Sequence, residues 1–326
     1  MRRRDFVTGL TSVAAMATAR GAPAEAALTI VVPDLPSGES GTAARVLQPY
    51  LERALSRPVI LDFRPGAGGI VGLTGGAQAA PDGTTLTLLT PAVTLAPWLN
   101  RRMDCSPADF APVGQVSFTP SALVVRSNGP SDTLPDLLAR GASAGALAVA
   151  AWSDWSPPEV AQALLLARAA VSAHERNGLT TEADRLAGLL AGDIDLAFVS
   201  LDAALDPTVA SWARALAVSA PARVARMPAV PSLRELGFDI TIGAWRALAL
   251  PAAAPPALVR QYGTVVRTVM ANPSLGDELR EVGLSPGWLD PAETRHALLD
   301  EYHAAGALFA TLGLTVRKEM LGLRTD

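Results

Sequence analysis

Three short apolar runs, Leu28–Val32, Val59–Phe63 and Thr85–Leu89, alternate with two segments of helical spacing. That order constrains the fold more than any other feature of the chain. Each run has the length of a buried strand and gives way to a loop or turn. Between the first two, Val46, Leu47, Tyr50, Leu51, Ala54 and Leu55 fall at helical spacing, with Pro49 inside. A proline there removes a backbone hydrogen bond, so the helix either kinks or starts late. Between the second and third runs, Arg64-Pro-Gly-Ala-Gly-Gly69 opens a helix to about Ala79, and Pro81-Asp82-Gly83 turns the chain back. Strand–helix–strand order of this kind implies a parallel sheet with right-handed crossovers.

The same reading continues along the chain. Strands are expected at 122–126, 194–199, 213–218 and 244–250, and helices at 134–140, 157–171, 181–191, 255–271, 275–282 and 291–312. In the last helix Leu298, Leu299, Tyr302, Ala305 and Leu308 form one stripe, expected to face a core. A chain of 326 residues, 49% hydrophobic and 18% charged, has ample apolar surface to bury and length for two domains or one large one.

The N-terminus reads as an address rather than as fold. Arg2, Arg3 and Arg4 precede a weakly apolar run at 7–19, and the small-x-small sites Ala22-Pro23-Ala24 and Ala24-Glu25-Ala26 follow. This is the layout of an export signal, expected over 1–24 with cleavage near Ala24–Ala26. Arg3-Arg4-Asp5-Phe6-Val7 resembles the twin-arginine motif; an ordinary secretory signal with extra arginine is the alternative. Arg20 interrupts the run too early for a membrane span. The segment carries four arginines against Asp5, a net +3, so the chain passes from −4 to −7 when it is removed.

That balance excludes several classes. There is no basic field for nucleic acid. Lys318 is the only lysine, so no Walker A motif exists. The single Cys105 rules out an internal disulfide or a cysteine-based zinc site and reads as a packing residue. His174, His296 and His303 are too few and too scattered for a histidine metal site, and no cofactor is expected. No serine–histidine–aspartate set has a recognised local context, so an enzyme is not expected; an exported hydrolase is the alternative from another class.

Four loops are candidates for ligand contact. Gly66-Ala67-Gly68-Gly69 follows a strand and opens a helix, where free amides attract anions. Its next glycine, Gly72, is one place late for a dinucleotide fingerprint. Leu35-Pro-Ser-Gly-Glu-Ser-Gly41 offers Ser37, Gly38 and Ser40, with Ser40 expected to cap the helix behind it. It does not satisfy the G-x-S-x-G nucleophile elbow. The third loop carries Trp152, Ser153, Asp154, Trp155 and Ser156 ahead of a helix starting at Pro157, and Glu159 falls in that helix's first turn. The fourth is the turn Arg176-Asn177-Gly178.

Taken together these loops resemble one family. Leu61-Asp-Phe-Arg-Pro-Gly-Ala-Gly-Gly-Ile-Val-Gly72 with Ala80-Pro-Asp-Gly-Thr-Thr-Leu86 is similar to the N-R-P-G-A-G-G-N-I-G … A-P-D-G-Y-T-L stretch of the substrate-binding proteins of tripartite tricarboxylate transporters, the Bug family. Asp104 to Val113, Arg214 to Ser219 and Met227 to Leu233 match further family motifs, and the resemblance spans essentially the whole chain after the signal.

The resemblance implies an α/β, two-domain periplasmic binding protein of type II-like architecture. Each domain is then a mostly parallel sheet flanked by helices, with a ligand cleft between them. The implied domains are 25–122 plus 250–326, and 123–249, with chain crossings near Ala122–Ser127 and Ala244–Pro251. It implies a monomeric receptor for a small carboxylate, working with membrane subunits of such a transporter; a sensor not coupled to transport is the alternative. The candidate ligand-binding set is Ser37, Gly38, Ser40, Gly66, Ala67, Gly68, Gly69, Thr90, Trp152, Ser153, Asp154, Trp155, Ser156, Asn177 and Trp245. The polar lining departs from the family pattern. Glu39 replaces a glycine, Gly41 an aspartate, Phe63 and Ile70 two asparagines, and the third loop is bulky and acidic. These changes, Asp154, Glu39 and the two tryptophans above all, suit an aromatic or partly cationic ligand, such as an amino acid or an amide, better than a plain dicarboxylate.

Overall fold

The computed structural model describes residues 27–100, 102–151 and 156–313. The export segment and its cleavage site lie outside the described residues, as do Trp152, Ser153, Asp154 and Trp155.

The three opening apolar runs form β1 (Leu28–Val32), β2 (Val59–Phe63) and β3 (Thr85–Leu89), linked by α1 (Glu39–Leu55) and α2 (Ile70–Ala77). They pair in parallel in the order β2-β1-β3. α1 runs through Pro49 and starts earlier than its apolar face suggests. Asp34 accounts for the early start. Its carboxylate accepts hydrogen bonds from the Leu35 amide at 2.7 Å and the Ser40 amide at 3.1 Å, so it caps the first turn from outside the helix. Ser40, expected at the cap, is instead buried inside that turn, and Gly38 holds the cap position.

After α3 (Ala92–Leu99), β4 runs from Phe110 to Arg126, far longer than the 122–126 expected. Pro112, Gly114 and Pro120 hide its first part in the sequence. Register shifts between Pro112 and Gly114 and between Gln115 and Ser117 absorb the irregularity. The chain continues through α4 (Leu134–Ala144), β5 (Leu147–Ala150), α5 (Pro157–Arg168), β6 (Ala173–Arg176), α6 (Glu182–Ala191), β7 (Ala197–Ser200), α7 (Leu201–Leu205), α8 (Pro207–Ala210) and β8 (Ala213–Val218). It returns through β9 (Gly243–Pro251), α9 (Pro256–Met270), α10 (Pro273–Glu281), β10 (Pro286–Leu289) and α11 (Pro291–Thr311).

β4 is the strand that both bodies share. Phe110 to Pro120 pair antiparallel with β9, whose other edge meets β3. From Ser121 onward β4 pairs instead with β7 and β8 of the second body. The return crossing lies beside the outgoing one: Ile242 still donates its amide to the Ser219 carbonyl at 3.1 Å, and Gly243 already pairs with Pro120. A Cβ at Gly243 would sit 2.5 Å from the Thr119 carbonyl oxygen, so only glycine lets the two crossings touch. The expected changeover at 249/250 falls within β9, all of which pairs with the first body's strands. Parallel pairing holds for β2-β1-β3 and for β5-β6, whereas β4, β9, β10, β7 and β8 pair antiparallel. The shared strand and its return make that mixture unavoidable, because a chain that comes straight back beside itself runs in the opposite direction.

Separate apolar clusters fill the two bodies, and one of them joins both. Leu95 and Trp98 of α3 and Tyr302, Leu308 and Phe309 of α11 are buried in the same cluster as Leu164 and Leu165 of α5. Trp98 donates its indole N–H to the Tyr302 carbonyl at 2.9 Å, and the two rings lie 4.5 Å apart. Tyr302, Ala305 and Leu308 of the stripe read on the last helix thus face a core that spans the two bodies, Leu298 is buried in a neighbouring cluster of the first body, and Leu299 is half-buried.

Candidate functional site

A cavity of about 520 Å³ lies between the bodies. The first body lines it with Glu39 at the start of α1, Ala67, Gly68 and Ile70 before and at the start of α2, and Pro91, Ala92 and Leu95 at the start of α3. The second body adds Ser156 and Pro157 at the start of α5, and the floor is Ala244 and Arg246 of β9. Helix N-termini from both bodies, with their positive dipole ends, thus border one space.

The glycine loop gains its shape from left-handed backbone. Gly66, Gly68 and Gly69 have φ of 133°, 66° and 95°. A Cβ added at Gly68 would meet nothing within 4 Å, so the backbone conformation rather than packing demands glycine there. The start of α5 is fixed by Glu159 in its first turn, which pairs with Arg185 of α6 at 3.4 Å with both side chains buried.

Arg246 is the site residue that the sequence reading missed. Its side chain is only 5% exposed, yet it lines the cavity. One amino group donates to the carboxylate of Glu39, while Nε and Nη1 are buried without a hydrogen-bond partner. Ser117, its cross-strand neighbour on β4, also carries a buried hydroxyl without a partner. The available signal was a lone arginine in the run Ala244-Trp-Arg-Ala-Leu-Ala-Leu250, since a charge in a central strand is costly unless something pairs with it. A smaller cavity of about 250 Å³, lined by Ser121, Pro158 and Ser200, also shares Glu39 and Ala244.

Of the candidate residues, the structure brings Ala67, Gly68 and Ser156 together on the cavity wall. Ser37, Gly38, Gly66, Gly69 and Thr90 belong to the same loops or stand next to lining residues, and Ser40 is buried behind Glu39. Asn177 is exposed in the turn after β6 and is not among the residues that line this space. Trp245 faces the opposite side of β9, where a separate cavity of about 610 Å³ is lined by Phe118, Trp288 and Glu301 among others. Its indole N–H donates to Glu301 at 2.7 Å. Burial raises the Glu301 carboxyl to about 7, against the pull of its bonds to Thr94 and Trp245. The Thr94 hydroxyl lies 2.8 Å from both the Pro91 carbonyl and Glu301, and with one hydrogen to give it satisfies only one of them. A protonated Glu301 supplies the missing donor.

Cys105 is buried, and burial pushes its thiol up to about 11, which suits packing rather than attack. Among the described residues no group of three histidine, cysteine or acidic side chains is placed to hold a metal. His296 and His303 sit on the exposed side of α11, with His296 3.1 Å from Asp300.

A family model described as "Tripartite tricarboxylate transporter family receptor" matches residues 43–314. The chain belongs to this family. Among curated relatives, Protein BugT of Bordetella pertussis is 29% identical over 283 residues, 84% of this chain and 85% of that protein. Among solved structures, a TctC solute-binding protein from Polaromonas superposes with a TM-score of 0.82 at 23% identity, over 87% of this chain and 98% of that one. Rpa4515 of R. palustris, solved with adipate, gives 0.66 at 24% identity, over 88% and 97%. MatC of Rhodopseudomonas palustris, solved with bound malate, gives 0.62 at 23% identity, over 86% and 98%. The fold is accordingly that of the family's two-domain periplasmic binding proteins, and the family's members are solute-binding receptors rather than enzymes. No described helix is long and apolar enough to cross a membrane.

Proposed function

We propose that this protein is an exported periplasmic receptor that captures a small organic carboxylate in the 520 Å³ cleft and delivers it to the membrane subunits of a tripartite tricarboxylate-type transporter. The observation that carries the reading is Arg246, a buried cation with two unpartnered donors in a cavity surrounded by helix N-termini. A carboxylate satisfies both features at once. The cavity volume is in the range of small-molecule sites. The chain's net negative charge gives no long-range attraction for an anion, so capture rests on these local groups. Binding then closes the two bodies about the paired crossings at Pro120–Ser121 and Ile242–Gly243. The N-terminal segment, of twin-arginine type, directs export and is removed near Ala24–Ala26.

The test is titration calorimetry of the mature chain against a panel of carboxylates, with mass spectrometry of what the purified protein carries. The expected result is one ligand bound per chain and recovered unchanged. Turnover of the bound acid, or no carboxylate bound in either assay, overturns the reading. Loss of uptake in cells lacking the membrane subunits tests the transport step separately.

A further inference from the structure

We infer that Glu39 is a built-in occupant of the ligand's own anchor, and that it restricts the receptor to acids carrying a single carboxylate. The inference rests on the receptor reading and goes on to name the ligand class. The two ends of the Glu39–Arg246 pair differ sharply in environment. The Arg246 side chain is 5% exposed and fixed in a central strand, whereas the Glu39 side chain is 71% exposed at the tip of α1. A buried guanidinium needs a counter-ion at all times. Glu39 meets that need from solvent, yet it engages only one of the three guanidinium nitrogens and leaves Nε and Nη1 unpartnered. A carboxylate forks onto a guanidinium through Nη2 together with Nε or Nη1, so an entering carboxylate that pairs with Arg246 takes the nitrogen that Glu39 holds and displaces it, and the exposed Glu39 side chain has water to move into.

The surroundings then decide what else the ligand can carry. The α1 end, where a second anion would otherwise be welcome, is already served by the Asp34 carboxylate on the Ser40 amide. The displaced Glu39 adds a second negative charge at the same place. The rest of the described lining is largely apolar, with Ile70, Pro91, Leu95 and Leu99, and its polar members Asn100 and Ser156 carry no charge. One carboxylate on Arg246 with an apolar body against that wall fits. A second carboxylate toward the α1 end meets two acidic side chains, and nowhere among the described lining residues does it find a second cation.

Hexanoate and adipate, matched in length and differing by one carboxylate, are the probes. Binding of each is measured by calorimetry on the full mature chain as wild type, Glu39→Gln and Arg246→Lys. Circular dichroism shows that each variant is folded. The expected result is that wild type prefers hexanoate. Glu39→Gln tightens hexanoate about tenfold, the scale of one lost competitor for a charge, and gains a larger factor for adipate. Arg246→Lys, which keeps the charge and loses the fork, weakens hexanoate. Equal or weaker binding of both acids in Glu39→Gln overturns the inference, as does a wild type that prefers adipate. A wild type that binds neither acid while Glu39→Gln binds hexanoate supports it. If wild type and Glu39→Gln both bind neither, the inference fails; the receptor reading then stands or falls on the carboxylate panel and the carried-ligand analysis.

Discussion

Two neighbouring residues of β9 face opposite ways and meet opposite electrostatic problems. Arg246 turns into the cleft with Ser117 beside it, and Trp245 turns to the far side with Phe118 beside it. On the cleft side a buried positive charge is held by an exposed carboxylate that can leave. On the far side a carboxyl is held by an indole and a hydroxyl that cannot leave, because Trp245 and Thr94 are both buried. The first arrangement keeps its charge and exchanges partners; the second holds its proton up to about pH 7 and stays put. Alternation along a strand produces this division from adjacent sequence positions.

The comparison is most exposed to a change at Arg246. Arg246→Met should weaken carboxylate binding on the order of a hundredfold or more, about 3 kcal/mol of charge-assisted hydrogen bonding, as read by calorimetry. Retained affinity would remove the cleft-side half of the contrast.

The far-side half predicts a pH dependence. A carboxyl raised in the folded state to about 7 keeps its proton while the unfolded chain has already released it. Stability contributed there is present at acid pH and lost as pH rises from the ordinary glutamate range through about 7. Glu301→Gln, a neutral isostere, should flatten that slope by on the order of 2 kcal/mol between pH 5 and 8 in urea denaturation, with ligand affinity at pH 7 kept within a small factor. An unchanged slope would mean that the carboxyl is ionised throughout.

A third change strikes the point where the two faces meet. Gly243→Ala pushes a Cβ against the Thr119 carbonyl and the Pro120 backbone. The expected cost is about 2 kcal/mol by thermal denaturation, the scale of overpacking where the neighbour is backbone. The smallest effect is expected at Asp34→Asn, which weakens the external cap of α1 by about 1 kcal/mol without touching β9. Loss of ligand binding in that variant would make the α1 end part of the anchor and blur the division.

The framework was legible because it depends on local rules. β1, β2, β3 and β8 fall where period and turn residues place them, and α11 starts at Pro291 behind the capping residue Asp290. β10 and the first part of β4 were not legible, because their prolines and glycines look like loop until a partner strand supplies the register. The site was legible only in part for the same reason. Loop chemistry points to the glycine turn and to the start of α5, where Ala67, Gly68 and Ser156 do reach the cavity. Nothing local distinguishes Trp245 from Arg246 as the one that faces it, and an aromatic is the natural choice until the crossing point fixes the phase of the strand.

The sequence by itself determined the class of fold, the family, the absence of a lysine-based anion site and the acid-rich start of α1. The tertiary structure alone decided that β4 and β9 cross between the bodies side by side, that Arg246 looks into the cleft, and that Glu39 reaches it from another element. Periodicity and turn chemistry act over a few residues and are written along the chain. The meeting of Glu39 with Arg246 depends on a pairing register between distant strands, which exists only once the sheet has formed.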